Sequence, residues 1–318
     1  MMTGVARLSV VLVTDHYRSI ARVVRHLGEQ TIRDQLELVI VCPSAGTLEP
    51  DEQALRGFGS VLTVETGTIH PMSAARAAGV RAATAPVLFL GETHSFPSPG
   101  FAASLLVRHS EPWDVVVPGL DNANMDGPLS WAAFLMDYGY WLRHLPEGET
   151  GFAPGWNVAY KRDALLELGA RLDSALTSGD EVFSAFRARG RRFYFQPGAQ
   201  IDHTNVSRST KEWADERYLS GLLVGANRRR RWPMYRSVLY ALASPLIPVV
   251  LLWRMAVPVR AALRNKRLPP FTVPALLAGL VVRSLGEVVG YLAGARADEV
   301  LRMEEYELHK LKYTAGTR

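Results

Sequence analysis

Three polar residues, Glu92, Thr93 and His94, directly follow the apolar run APVLFL at 85–90. If the chain stays extended there, the carboxylate of Glu92 and the imidazole of His94 point the same way, and Thr93 points to the other side. A carboxylate and an imidazole together can bind a divalent cation, and they suit Mn²⁺ better than Mg²⁺, which prefers oxygen ligands. The alternative is a polar loop that ends a buried strand.

Further titratable residues lie later in the chain. Asp180 and Glu181 open the amphipathic segment DEVFSAFRARG, where a carboxylate either acts as a general base or stabilises the helix start through the helix dipole. His203 follows the strand-like run RRFYFQP at 191–197 and is either a site residue or an exposed loop imidazole. The residues alone leave both alternatives open.

Strands that alternate with helices must position these residues. Predicted strands lie at 8–14, 36–42, 60–65, 85–90 and 114–119. Between them we predict an amphipathic helix with Ser19 as its N-cap and an Ala-rich helix over about 72–84. This order predicts an α/β fold with a mostly parallel sheet.

Polar residues follow three of the predicted strands, at Thr14–His16, Cys42–Ser44 and Glu92–His94. Ligands of such sheets bind at the carboxyl ends of the strands, so we expect these segments to converge. The sequence contains neither GxGxxG nor GxxxxGK, which leaves dinucleotide-binding and Walker-type phosphate sites without support.

Length and composition limit the class of protein. The 318 residues, 48% of them hydrophobic, are enough for one large domain or two modest ones. Cys42 is the single cysteine, which excludes an internal disulfide and a multi-cysteine metal site. The N-terminal residues lead directly into a strand pattern, so we expect no secretory signal.

The charge is unevenly distributed along the chain. The net charge is +5, yet residues 217–286 contain twelve Lys and Arg and no Asp or Glu. This segment includes 17 consecutive uncharged residues at 237–253, and a second apolar segment at 271–295 is interrupted by Arg283 and Glu287. Apolar surface beside arginines indicates an anionic membrane surface and no nucleic acid partner.

We predict that both apolar segments form helices that lie in or dip into the membrane interface. A helical hairpin across the membrane is the alternative, but Pro245 and Pro248 weaken a straight span. The cluster Arg228–Arg231 is either an interface anchor or a charged linker. We therefore divide the chain into a domain at 1–215 and a membrane-association region at 216–318.

Four segments carry short motifs in a fixed order. They are LSVVLVTDHYRSIARVVRHLGEQT (8–31), AARAAGVRAATAPVLFLGETH (74–94), PGWNVAYKRDALLELG (154–169) and GDEVFSAFRARGRRFYFQPGAQIDH (179–203). Together they resemble the family 2 glycosyltransferases of the GT-A fold over roughly residues 7–215. The resemblance implies a Rossmann-like mixed sheet flanked by helices and an inverting transfer from a nucleotide-sugar donor.

The resemblance also suggests roles for individual residues. We assign donor binding to Thr14, Asp15, Ser44, Arg76, Glu92, Trp156 and Asn157. A divalent cation, Mg²⁺ or Mn²⁺, would be held by Glu92, His94 and His203. The general base would be Asp180, with Glu181 as the second candidate. The alternatives are a solvated helix position for Arg76 and ordinary packing and turn roles for Trp156 and Asn157.

Three positions depart from the family pattern. Cys42–Ala45 stands where the family has an Asp-Asp-Gly-Ser that contacts the nucleotide base, and Ala77 stands where it has an Asn. Glu92–His94 replaces the Asp-x-Asp metal motif and is closer to members with Glu-Asp-His.

We predict a glycosyltransferase that acts on a glycan or lipid-linked acceptor at the cytoplasmic face of the cell membrane. The departures favour, as an alternative, a catalytically inactive glycosyltransferase-like scaffold at the membrane. A nucleotidyltransferase is a third possibility, but the chain has no Gly-rich basic loop after its first strand.

Overall fold

The computed structural model describes residues 5–125, 127–265 and 268–315. The strands are β1 (Leu8–Val13), β2 (Leu36–Cys42), β3 (Ser60–Glu65), β4 (Val87–Leu90), β5 (Ser95–Pro97), β6 (Val115–Asn122), β7 (Gly148–Thr150), β8 (Val158–Lys161) and β9 (Phe193–His203). The helices are α1 (Tyr17–Gly28), α2 (Glu52–Leu55), α3 (Met72–Ala82), α4 (Phe101–His109), α5 (Pro128–Tyr138), α6 (Arg162–Leu166), α7 (Leu172–Ala175), α8 (Gly179–Ala188), α9 (Thr210–Arg231), α10 (Met234–Leu242), α11 (Ile247–Arg254), α12 (Ala256–Arg264), α13 (Thr272–Ala293) and α14 (Ala297–Leu308).

The strands form one mixed sheet in the order β3-β2-β1-β4-β8-β6-β9-β5, and β7 pairs with β9. Strands β3, β2, β1 and β4 run parallel, whereas β8 is antiparallel to both of its neighbours. The α/β fold with a mixed sheet and flanking helices is thus confirmed. The parallel pairing that the alternating pattern predicts is found in these four strands, and each of the three connections between them contains a helix.

Helix α1 begins earlier than predicted. His16 is its N-cap, with an extended backbone and with Nδ1 accepting a hydrogen bond from the Ser19 backbone N–H at 3.2 Å. The prediction of Ser19 as the cap was wrong, because an imidazole nitrogen here takes the role that hydroxyl and carboxylate oxygens usually have.

A buried carboxylate closes the amino edge of the parallel strands. Glu37 on β2 lies beside Ser9 on β1 and accepts a short hydrogen bond from the Ser9 hydroxyl. It also accepts from the backbone N–H and the hydroxyl of Thr84, both at 2.7 Å. Burial alone would raise the pKa of Glu37, but these hydrogen bonds outweigh it and hold the pKa below its ordinary value. We infer that Glu37 has a structural role and stabilises the fold.

The chain divides into two compact units. The first contains the described residues up to Asp121 together with Pro146–Asp202, and the second contains Asn122–Leu145 with the described residues from His203 onward. The functional boundary that composition places between 215 and 216 stays a prediction.

Glycines bring two long helices of the second unit into backbone contact. They are Gly221 and Gly225 on α9 and Gly286 and Gly290 on α13. A Cβ atom at Gly225 would lie 2.4 Å from the Glu287 carbonyl oxygen, and one at Gly286 would lie 2.1 Å from the Tyr218 carbonyl oxygen. No larger side chain fits between the two backbones.

Two polar residues of α13, Glu287 and Tyr291, face α9. Arg228 on α9 donates to the Tyr291 hydroxyl at 2.7 Å and lies 3.5 Å from the Glu287 carboxylate. The exposed large residues of α13 are apolar: Val273, Leu277, Val281, Leu285, Val289 and Leu292. This arrangement puts charge inside the helix pair and a row of apolar side chains outside.

Length and composition make α13 the one described helix that could cross a membrane by itself, although 39% of its most apolar window is buried. Helix α10 and the segment Ser244–Arg254 reach that length only when counted as one span, and they are bent by 51°. Two helices of this kind are weak evidence for a membrane protein.

Replacing Gly286 with alanine tests the helix contact. Because the new methyl group would strike the Tyr218 carbonyl, we expect a loss of about 3 kcal/mol in unfolding free energy and a lower melting temperature. Gly127→Ala is the matched control in the same unit, since a Cβ there meets nothing within 4 Å. Equal melting temperatures for the two variants would show that the helices do not depend on this contact.

Candidate functional site

The predicted convergence of three strand ends is confirmed. Strands β1, β2 and β4 are parallel neighbours in register, so the segments after them lie at one edge of the sheet. These segments are Thr14–His16, Cys42–Ser44 and Glu92–His94. Glu65, which the sequence did not single out, ends β3 directly beside Cys42 and adds a carboxylate to the same edge.

Glu92 and His94 form a close buried pair. His94 Nε2 lies 3.5 Å from Glu92 Oε2, and the two side chains are 0% and 3% exposed. The extended geometry assumed from the sequence was wrong, because β4 ends at Leu90 and a turn brings the two together. Thr93 is buried as well, with its hydroxyl 3.2 Å from His94 Nδ1, and does not point away from the pair.

Asn157 holds the Glu92 carboxylate in place. Its side-chain amide donates to Glu92 Oε2 at 2.5 Å and to the Ser95 hydroxyl at 3.0 Å, and Ser95 donates to the same carboxylate at 3.1 Å. The Asn157 backbone is left-handed, with φ of 57°, and its N–H donates to the Leu90 carbonyl. Asparagine tolerates that conformation better than most residues. The donor contact assigned to Asn157 stays a prediction, and nothing in the sequence marks Ser95 as its partner.

The alternative that Arg76 is a solvated helix residue was wrong. It is buried on α3, and its guanidinium carbon lies 3.5 Å from the ring centroid of Trp156. A stacked cation at this distance orders both side chains. The two predicted donor-binding residues therefore form one surface.

The first turn of α8 lies against the segment that carries Trp156. A Cβ atom at Gly179 would lie 2.3 Å from the Gly155 Cα, so the two backbones touch. This contact positions Asp180, which is exposed, and Glu181, which is half-buried. The choice of general base between them stays a prediction.

The remaining donor-binding candidates differ in exposure. Thr14 is buried and its hydroxyl donates to the His16 carbonyl at 2.7 Å, whereas the Asp15 side chain is 34% exposed. Ser44 is half-buried, and its hydroxyl accepts from the Gly46 N–H at 3.3 Å. Thr14 thus shapes the turn, and Asp15 and Ser44 remain accessible to a ligand.

His203 belongs to the second unit and is the last residue of β9. It is buried, so the alternative of an exposed loop imidazole was wrong. Its Nδ1 lies 3.1 Å from Asn205 Oδ1, and Asn205 Nδ2 donates to Asn122 Oδ1 at 3.0 Å. This network assigns the ring proton to Nδ1 and the lone pair to Nε2, an arrangement typical of metal-binding histidines.

The Tyr138 ring packs against His203 with the centroids 4.5 Å apart. The role of His203 as a metal ligand stays a prediction. Asn205, two residues beyond it, is a supporting residue that the sequence analysis missed, and its only sequence signal is its position in IDHTN.

The chemistry of the first-unit pair fits a divalent cation. A buried carboxylate and a buried imidazole are ligands that Mn²⁺ accepts, and the hydrogen bonds from Asn157 and Ser95 orient the carboxylate from behind. Glu92 and His94 are thus residues that could hold a metal.

Comparison with known proteins identifies the fold. No family model matches the chain, and no curated protein sequence matches it significantly. Its structure is similar to mannosyltransferase PcManGT from Pyrobaculum calidifontis in complex with GDP-Man and Mn²⁺, with a TM-score of 0.50 and 18% identity, over 97% of this chain and 88% of that one. The likeness at this identity is one of fold, and the chain has the GT-A glycosyltransferase fold.

Two other solved structures resemble the chain less closely. GalNAc-T7 with UDP, GalNAc and Mn²⁺ has a TM-score of 0.49 and 18% identity over 63% of this chain, which spans only 44% of the GalNAc-T7 chain. S. aureus TarS 1-349 in complex with UDP has a TM-score of 0.47 and 13% identity over 92% of this chain and 93% of that one. Membership of family 2, which the sequence motifs suggest, stays a prediction.

Asn157→Ala and Asn157→Gly separate the two tasks of this residue. Both remove the amide from the buried carboxylate, but only alanine also resists the left-handed backbone. We expect a loss of about 3 kcal/mol for alanine and a loss smaller by about 1 kcal/mol for glycine, measured by urea unfolding. Wild-type stability in both variants would contradict the supporting role.

Proposed function

We propose that this chain transfers a sugar from a nucleotide-sugar donor to a glycan or lipid-linked acceptor at the cytoplasmic face of the cell membrane. The observation that carries the proposal is the buried Glu92–His94 pair at the carboxyl edge of a GT-A sheet. Ligands of open α/β sheets bind at that edge. The resembling mannosyltransferase was solved with a nucleotide-sugar and Mn²⁺.

The proposed donor site combines charge and a flat surface. Glu92, His94 and His203 would hold a divalent cation, which when bound would neutralise negative charge on the departing nucleoside diphosphate. The stacked Arg76 and Trp156 would lie along the donor, and Asp15 and Ser44 would reach it from the neighbouring strand ends.

The proposed general base lies on α8. In an inverting transfer a carboxylate takes the proton of the acceptor hydroxyl as the sugar carbon is attacked. Asp180 is the more accessible of the two candidates, and the backbone contact between Gly155 and Gly179 holds it next to the segment of Trp156. We therefore favour Asp180, with Glu181 as the second choice.

The second unit is the proposed membrane-binding part. The apolar row on α13 points away from α9, and exposed apolar residues continue through α10 and the segment after it: Tyr235, Leu239, Leu242, Leu246, Val249 and Trp253. Arg229–Arg231 at the end of α9 and Arg254 supply positive charge beside this surface. Such a combination favours the interface of an anionic bilayer.

A donor screen with Mn²⁺ and Mg²⁺ tests the catalytic proposal. We expect hydrolysis or transfer from at least one nucleotide-sugar, with a higher rate in Mn²⁺. Asp180→Asn should lower kcat by about 10²- to 10⁴-fold, because the base is lost, and Glu181→Gln by less than about tenfold. The opposite order would move the base to Glu181, and inactivity with every donor would contradict the proposal.

A membrane scaffold without activity is the second candidate, favoured by the buried Cys42 that ends β2 where the family has a carboxylate. Thermal stabilisation by UDP, GDP or TDP in Mn²⁺ separates the two. Stabilisation by one nucleotide favours the transferase, and indifference to all three favours the scaffold.

Vesicle co-sedimentation tests the membrane proposal. Val249 and Val107 are both valines on exposed helix surfaces, with 65% and 61% exposure, but only Val249 lies on the proposed membrane surface. We expect Val249→Asp to weaken binding to phosphatidylglycerol vesicles by about tenfold and Val107→Asp to leave it unchanged. Equal binding by both variants would rule out this surface.

A further inference from the structure

A cavity of about 340 Å³ lies in the first unit at the edge of the sheet opposite to Glu92. The residues that line it lie at or just before the starts of β1, β4, β6 and β9, at the C-terminal ends of α4 and of the antiparallel β8, and along α6. Its charged and titratable lining is Arg7, His109, Asp114, Lys161, Glu167 and Arg191, with the exposed Asp163 at the rim. The proposed transfer reaction uses none of these residues.

His109 is the unusual member of this lining. It is 8% exposed, and neither of its ring nitrogens has a hydrogen-bond partner of ordinary geometry among the described residues. Burial lowers the pKa of His109 to about 4 and outweighs the opposing effect of the Trp113 backbone, while Lys161 lowers the pKa and Asp114 raises it by smaller amounts. The imidazole is therefore neutral at pH 7 and has one N–H to donate.

The carboxylates in the wall are already paired. Arg191 donates to Asp114 at 3.1 Å and to both oxygens of Glu167 at 2.6 Å. The backbone N–H of Arg192 donates to Asp114 as well. This part of the wall is a closed group of ion pairs with one net negative charge, which the two positive charges of Lys161 and Arg7 outweigh.

Two cations of the lining have no carboxylate within ion-pair distance in the described chain. Lys161, half-buried at the end of β8, makes no ion pair, and Arg7 donates to the neutral Gln35 side chain at 3.1 Å. The only other acid of the lining, Asp163, has a 93% exposed side chain. A buried N–H donor, an ammonium group and a guanidinium group thus meet around one cavity.

We propose that this cavity is a second ligand site, which binds a phosphate group through Lys161, Arg7 and the N–H of His109. A lysine ammonium and an arginine fork are the side chains that proteins use most for phosphate. The volume exceeds what one phosphate fills, so the group comes either from inorganic phosphate or from a small phosphate monoester. Because the site is separate from the donor edge, its test does not depend on glycosyl transfer.

The test follows the ¹³Cε1 resonance of His109, identified by its disappearance in His109→Gln, as ligand is added without divalent cation. The probes are inorganic phosphate and glucose 6-phosphate, with sodium chloride of equal ionic strength as the blank. We expect a saturable shift with at least one phosphate and a dissociation constant at least about tenfold weaker in Lys161→Gln. Tighter binding of glucose 6-phosphate identifies a monoester ligand, and tighter binding of inorganic phosphate identifies the free ion.

Lys211→Gln is the matched control, because Lys211 is exposed on α9 and lies outside the lining. It should bind phosphate as the wild type does. If Lys161→Gln does not fold, Arg7→Gln takes its place with the same expectation. The proposal is overturned if neither phosphate gives a saturable shift, if sodium chloride gives the same shift, or if the variant that removes the cation binds normally.

Discussion

A carboxylate can be buried in this sheet only where several hydrogen-bond donors surround it, and the sheet meets that requirement at both edges of its parallel strands. At the amino edge, Glu37 receives hydroxyl and backbone donors from Ser9 and Thr84. At the carboxyl edge, Glu92 receives the Asn157 amide and the Ser95 hydroxyl and has an imidazole beside it. The first arrangement completes the fold, whereas the second places two groups that could hold a metal where ligands of this fold bind.

The sequence predicts the elements better than it predicts the contacts. Runs of apolar, β-branched residues mark buried strands in the sequence. The bounds of β1, β2 and β4 therefore lie within one or two residues of the predicted bounds. The predicted direction of the Thr93 side chain was wrong, because the chain forms a short turn after β4 and side chains no longer alternate there as they do in a strand. The burial of Arg76 against Trp156 joins residues 80 positions apart, which no local pattern reveals.

The supporting residues were the hardest to predict. Asn157 stood out through the family motif, yet its contact with Glu92 depends on the antiparallel pairing of β8 with β4. Asn205 carries no motif, and its role becomes visible only with the side-chain network around His203. The interruptions Arg283 and Glu287 weakened the apolar pattern of α13, whereas in the folded helix Glu287 is buried within ion-pair distance of Arg283 on the same helix and of Arg228 on α9.

The second unit reverses the usual arrangement of a helix in water. Four glycines and the Arg228–Glu287 ion pair lie between α9 and α13, and the apolar row of α13 lies outside. In aqueous buffer an exposed apolar surface of this kind binds detergent, the apolar surfaces of other molecules and plastic. We therefore expect self-association of this chain without lipid or detergent, which makes the choice of amphiphile an experimental variable beside pH and salt.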